Sequence, residues 1–172
     1  MANFTLDAYV DQHISCNGNA DGYIQANVTP AGNYEITCKK SGQLPTSNAS
    51  GFFKPLVPGT YKVVAKDLNT GETLSTKLKV TQPAKLKVKF VAETNPTTAN
   101  PTGGSISLTI TGGAPILQPY LVTWKNSAGV TLNSEMDNFA TYLENLPADT
   151  YTVTIEDDNG CFLTKSYKLK KA

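Results

Sequence analysis

Residues 56–71 read LVPGTYKVVAKDLNTG, and residues 145–160 read NLPADTYTVTIEDDNG. Self-similarity at a fixed spacing reports a structural unit used more than once, so it constrains this chain more than any single residue does. Further stretches recur in the same order. ADGYIQANVT (20–29) answers to TGGSISLTIT (102–111), and NYEITCKKSG (33–42) to PYLVTWKNSAG (119–129). ETLSTKLKV (72–80) answers to CFLTKSYKL (161–169), and the insertions fall in turns. The chain is therefore expected to fold as two tandem units, 1–83 and 84–172, with Pro83 ending the last strand of the first. TQPAKLKVKF (81–90) is the seam, and its second half alternates lysine with apolar residues at a strict period of two.

The period within each unit assigns the structure. In TYTVTIED, Tyr151, Val153 and Ile155 point one way, while Thr150, Thr152, Thr154 and Glu156 point the other. That is the alternation of a half-buried strand. Thr, Asn, Gly and Pro are plentiful and only 17% of residues are charged, which suits strands joined by turns. One helical turn near Glu135–Phe139 is the only helix the sequence entertains. Strand-like runs every 8–12 residues or so, bounded by turn residues, predict an all-β chain of two tandem immunoglobulin-like β-sandwich domains. Trp124 sits where such sandwiches bury an aromatic on the third strand, and Cys38 is its smaller counterpart in the first unit. Tyr61 and Tyr151 are placed like the corner tyrosine of these folds.

Composition narrows the function. All 15 cations are lysines and 14 residues are acidic, so the net charge is +1. Arginine is the usual fork for phosphates and guanine edges, and its absence argues against nucleic acid as a partner. No apolar stretch has the length of a transmembrane helix, so membrane insertion is not expected. The start, MANFTLDAYV, has neither a basic nor an apolar signal region, and the chain reads as not addressed for export.

These residues resemble the SprB-type repeat of gliding-motility adhesins and other large surface proteins of Bacteroidota. Cys16-Asn17-Gly18, Asp21-Gly22-Tyr23-Ile24, Leu56 to Asp67 and Thr73 to Val80 carry the likeness in the first unit. Gly104-Ser105-Ile106, Pro119-Tyr120 with Trp124, Leu146 to Asp157 and Asn159-Gly160-Cys161 carry it in the second. The resemblance implies an early and a late cysteine in each repeat. Here the first unit keeps Cys16, with Glu72 at the late position; the second keeps Cys161, with Thr98 near the early one. Three thiols are therefore expected rather than a Cys16–Cys161 bridge, which would have to span the two units, and free thiols suit a reducing compartment.

No constellation of catalytic or metal-binding residues is evident. His13 is the single histidine and reads as a surface residue. Glu156-Asp157-Asp158 before Asn159-Gly160 reads as hairpin-turn chemistry. NGNADG (17–22) imitates a calcium loop but has Val28 where the bidentate glutamate belongs. No enzyme activity, cofactor or metal is expected. The candidate interface residues are Phe52 and Phe53, only one of which can face a core, and Ile116 and Leu117 in a Pro- and Gly-bounded loop.

The sequence thus points to a non-enzymatic structural or adhesive protein whose partners are other protein subunits, in a capsid lattice or copies of itself, with surface glycans a further class. The expectation is an auxiliary (decoration) protein on the surface of a virion, from a phage of a Bacteroidota host. The alternative is a fragment of a secreted cell-surface adhesin, in which the repeats act as stalk spacers or glycan-binding modules.

Overall fold

The computed structural model describes residues 2–114, 120–137 and 139–172. Every regular element among them is a strand, and the chain divides into two compact units, Met1–Gln82 and Pro83–Ala172. The helical turn expected near Glu135–Phe139 does not form. Residues Thr131–Asp137 are a strand instead, because pairing with a neighbour satisfies their backbone along its length.

In the first unit the strands are β1 (Thr5–Gln12), β2 (Gly22–Thr29), β3 (Tyr34–Lys40), β4 (Thr46–Asn48), β5 (Phe52–Leu56), β6 (Gly59–Asp67) and β7 (Thr73–Val80). They form two sheets, in the orders β1-β2-β5 and β4-β3-β6-β7. The second unit has β8 (Ala84–Thr94), β9 (Gly104–Gly113), β10 (Tyr120–Lys125), β11 (Thr131–Asp137), β12 (Ala140–Leu146), β13 (Thr150–Glu156) and β14 (Phe162–Lys168). Its sheets run β8-β9-β12 and β11-β10-β13-β14, so strand for strand the two topologies are the same. All the pairings are antiparallel.

Each unit closes its two sheets over one core, as alternating strands with one apolar face require. In the first, Ile24 and Phe53 from the three-stranded sheet meet Ile36, Cys38, Tyr61 and Val63 from the four-stranded one. In the second, Ile106, Leu108, Ile110 and Leu143 meet Val122, Trp124, Tyr151, Val153 and Ile155. The lysines of the seam alternate outward along β8 as the period of two demands, leaving Leu86 buried. Gly51 has φ of 69° and lies against the Ala26 carbonyl, where a Cβ would collide, and its own carbonyl accepts the Ala26 amide at 2.9 Å. Only glycine permits that approach at the entry to β5.

The expectation of three thiols does not hold. Cys38 is a buried free cysteine, whereas Cys16 and Cys161 are disulfide-bonded. Counting cysteines within a repeat carries no information on where their sulfurs come to rest, and that position decides pairing.

Candidate interaction surfaces

Trp124 is fully buried on β10, and its indole Nε1–H donates to the Thr141 hydroxyl at 3.0 Å across the two sheets. Tyr61 and Tyr151 are buried as well. The Tyr61 hydroxyl donates to the Val57 carbonyl at 2.8 Å and the Tyr151 hydroxyl to Pro147 at 2.7 Å, each bond spanning four residues. Each tyrosine thus braces the turn ahead of its own strand, in the manner of a tyrosine corner. Cys38 occupies the place of Trp124, and burial pushes its thiol up to about 11. It is therefore a packing residue rather than a nucleophile.

The four candidate interface residues separate. Ile116 and Leu117 lie outside the described residues. Phe53 is 3% exposed and belongs to the core, so as an interface residue it is corrected: the pleat of β5 turns it inward opposite Ile24. Phe52 is the outward neighbour. It is half-buried, its ring lies 5.2 Å from that of Tyr23, and the Lys54 ammonium sits 5.0 Å from its centre. Beside it opens a depression floored by Cys38 and Tyr61 and rimmed by Lys40 and Lys54, on the side of the first unit where tryptophan is replaced by cysteine.

The carboxylates that stand out serve the backbone. Asp157 is buried and accepts the amides of Ala114 at 2.8 Å and of Asn159 and Cys161 at 3.0 Å. It ties the β13–β14 turn to the chain leaving β9. Asp21 accepts both the amide and the hydroxyl of Ser15, and the hydroxyl bond above all holds its carboxyl below the usual range. The calcium-like segment is thereby a turn whose carboxylate is engaged by Ser15 and whose Gly18 amide donates to the Gln82 side chain at 3.0 Å. His13 accepts the Thr81 amide at 3.0 Å through Nδ1. Among the described residues, no group of three or more His, Cys, Asp or Glu is placed to hold a metal.

The outer faces of the two four-stranded sheets are the extended surfaces with a defined chemistry. In the second unit, Met136 (β11) lies opposite Leu121 (β10), Leu121 opposite Glu156 (β13), and Glu156 opposite Phe162 (β14). Three of these four are apolar yet open to solvent, with Met136 at 53%, Leu121 at 38% and Phe162 at 74% exposure. Val130, Leu132 and Phe139 add further exposed apolar side chains on and beside β11. The rows below are hydroxyls: Thr123 with Ser134 at 3.1 Å, Thr154 with Thr164 at 3.1 Å, and Thr152 with Ser166 at 2.9 Å.

In the first unit the equivalent face is basic. Lys39 (β3) lies opposite Lys62 (β6), and Lys62 opposite Lys77 (β7), so three ammonium groups form one row across adjacent strands. All three are exposed. Lys66 and Lys79 share the face, and Glu35, paired with Lys66, is the carboxylate in its register. Sequence reasoning missed this row, because its members are separated by 23 and 15 positions and only the register aligns them.

No family profile matches the chain, and no curated protein matches it significantly. Among solved structures it is similar to the I-band fragment I67–I69 of titin, at 15% identity and a TM-score of 0.52, covering 99% of this chain and 66% of that one. It also aligns with the three N-terminal domains of the highly immunogenic outer capsid protein (Hoc) of bacteriophage RB49, at 14% identity and a TM-score of 0.49, covering 98% of this chain and 58% of that one. The chain thus spans less than two thirds of either. The titin likeness is one of fold, and with the strand orders it makes this chain a tandem pair of immunoglobulin-like β-sandwiches.

Proposed function

We propose that this chain is a non-enzymatic docking protein of a virion surface, an auxiliary component that decorates a phage capsid. The observation that carries the reading is the exposed row Met136–Leu121–Glu156–Phe162 on the second unit, in which three of the four side chains are apolar. Exposed apolar side chains gathered on one sheet face, here about a single carboxylate, are a poor surface for a solitary soluble domain and a good one for packing on another protein. A capsid lattice supplies such protein surface in many copies. The likeness to SprB-type repeats supports a role at a biological surface, and the disulfide-bonded Cys16 and Cys161 suit the oxidising exterior where virion and cell-surface proteins reside.

The second reading, a segment of a long secreted adhesin of a Bacteroidota cell, is favoured by the tandem arrangement itself, since stalks are built from stacked repeats. Mass spectrometry of density-purified phage particles beside the outer-membrane fraction of uninfected host separates the two. Co-sedimentation of this chain with particles is the expected result, with Leu121→Ser/Phe162→Ser protein failing to rebind stripped particles. Recovery of the same peptides within a longer host polypeptide, and not in particles, would sink the virion reading.

A further inference from the structure

Like charges placed directly opposite one another across a sheet destabilise it, so a row of three lysines needs a reason beyond folding. The row Lys39–Lys62–Lys77 crosses three strands at the spacing of the sheet, about 4.8 Å per strand. Its neighbours in the register, directly or diagonally opposite, are Thr37, Thr60, Val64, Ser75 and Lys79; none is acidic. A shallow depression runs among Lys39, Lys62, Lys77, Thr60 and Ser41. The row is therefore an uncompensated line of positive charge, set in hydroxyls, on an exposed flat face.

We propose that the outer face of the first unit's four-stranded sheet binds an acidic polysaccharide, its carboxylates or sulfates seated along Lys39, Lys62 and Lys77. Charge complementarity sets the sign of the partner, and the surroundings set its class. A protein partner would be gripped by aromatic or arginine anchors, and this face has neither. Single-stranded nucleic acid would want aromatic platforms for its bases, and duplex grooves admit a helix or ribbon rather than a flat sheet face. A sugar chain with a regularly repeated negative charge needs only point charges at regular spacing, with hydroxyl donors and acceptors between them. Lysines supply the first; Thr37, Thr60 and Ser75 supply the second. The second unit lacks the row: the corresponding line is Lys125–Thr152–Ser166.

The inference does not rest on the virion reading, and its test is carried out on the purified protein without particles. The intact 172-residue chain is passed over immobilised polygalacturonate, and over the same polymer with its carboxylates methyl-esterified. Retention by the acid form alone is expected, weakening as salt screens the exposed charges. The Lys39→Ser/Lys62→Thr/Lys77→Ser variant is expected to lose on the order of tenfold or more in affinity, the sum of several exposed ion pairs. A control that removes the same charge elsewhere, Lys85→Ser/Lys87→Ser/Lys89→Ser on β8, should bind as the parent does. The melting temperature of the row variant should equal or exceed the parent's, which separates lost binding from lost folding. The proposal is overturned if polygalacturonate does not retain the parent chain, if both triple variants weaken alike, or if duplex DNA or polyglutamate binds more tightly than the polyuronate.

Discussion

The two units share one strand order and differ in what their equivalent surfaces carry. Inside, the first unit packs Cys38 and Phe53 where the second packs Trp124 and Leu143, so bulk lost on one sheet is partly regained on the other. Outside, three lysines stand in register where the second unit has Lys125, Thr152 and Ser166. The scaffold tolerates both because inner and outer residues alternate along every strand: the inward set holds the fold and the outward set is free to diverge. The difference teaches that duplication here preserved the frame and released the faces, so the two halves are suited to different partners.

The largest expected effect tests the inner half of that comparison. Trp124→Ala should destabilise the second unit by about 3–5 kcal/mol, since it empties a large buried volume and strips Thr141 of its hydrogen-bond donor. Cys38→Ala, at the equivalent site, should cost about 1 kcal/mol, because little volume is lost. Urea unfolding followed by a probe in each unit measures both. Equal losses would break the claim that the tryptophan dominates one core and the cysteine merely fills the other.

A smaller effect sharpens the outer half. Lys62→Thr should stabilise the first unit by about 0.5 kcal/mol by relieving repulsion from Lys39 and Lys77. Thr152→Lys, which places a second lysine beside Lys125, should destabilise the second unit by a similar amount. Thermal melts at low and high salt check both, and the two shifts should shrink together as salt rises.

The smallest effect is in acid. Asp21 and Asp67 in the first unit have carboxyls held below the usual range, by the Ser15 hydroxyl and by the Asn69 amide respectively. Asp149 in the second is held low by Ser127 and then by the Thr150 amide. A folded value below the unfolded one adds stability that is complete by about pH 5, well above the unfolded value, and is lost as pH falls through the folded value. Melting temperature should therefore stay level from neutral pH to about pH 5 and decline below it. The decline should be steeper for the first unit, which has two such groups against one. An acid response confined to the second unit would contradict this assignment.

Much of the fold could be read in the chain. The repeated TYKVVAKD and TYTVTIED state their own inner and outer faces, and Tyr61, Tyr151, Trp124 and Cys38 stand where a sandwich places its corner and core. The short β4 and the pair Phe52–Phe53 were less legible. Glycine, serine and proline surround them, and which phenylalanine turns inward depends on the pairing of β5 with β2. The exposed row Met136–Leu121–Glu156–Phe162 was not legible at all, since each member alone is an ordinary surface residue of its strand.

The sequence by itself determined that this is a duplicated all-β chain and, in its alternating strands, which side chains face inward. Alternation is a local property, written within eight or nine residues and enforced by the pleat. Tertiary structure alone decided which outward residues became neighbours. Register joins positions far apart in the chain, and a slip of one residue would have turned Lys62 into the core and Val63 to solvent. The burial of Ile36, Cys38, Tyr61 and Val63 forbids that slip, and so the packing of the core sets the lysines in line on the opposite face.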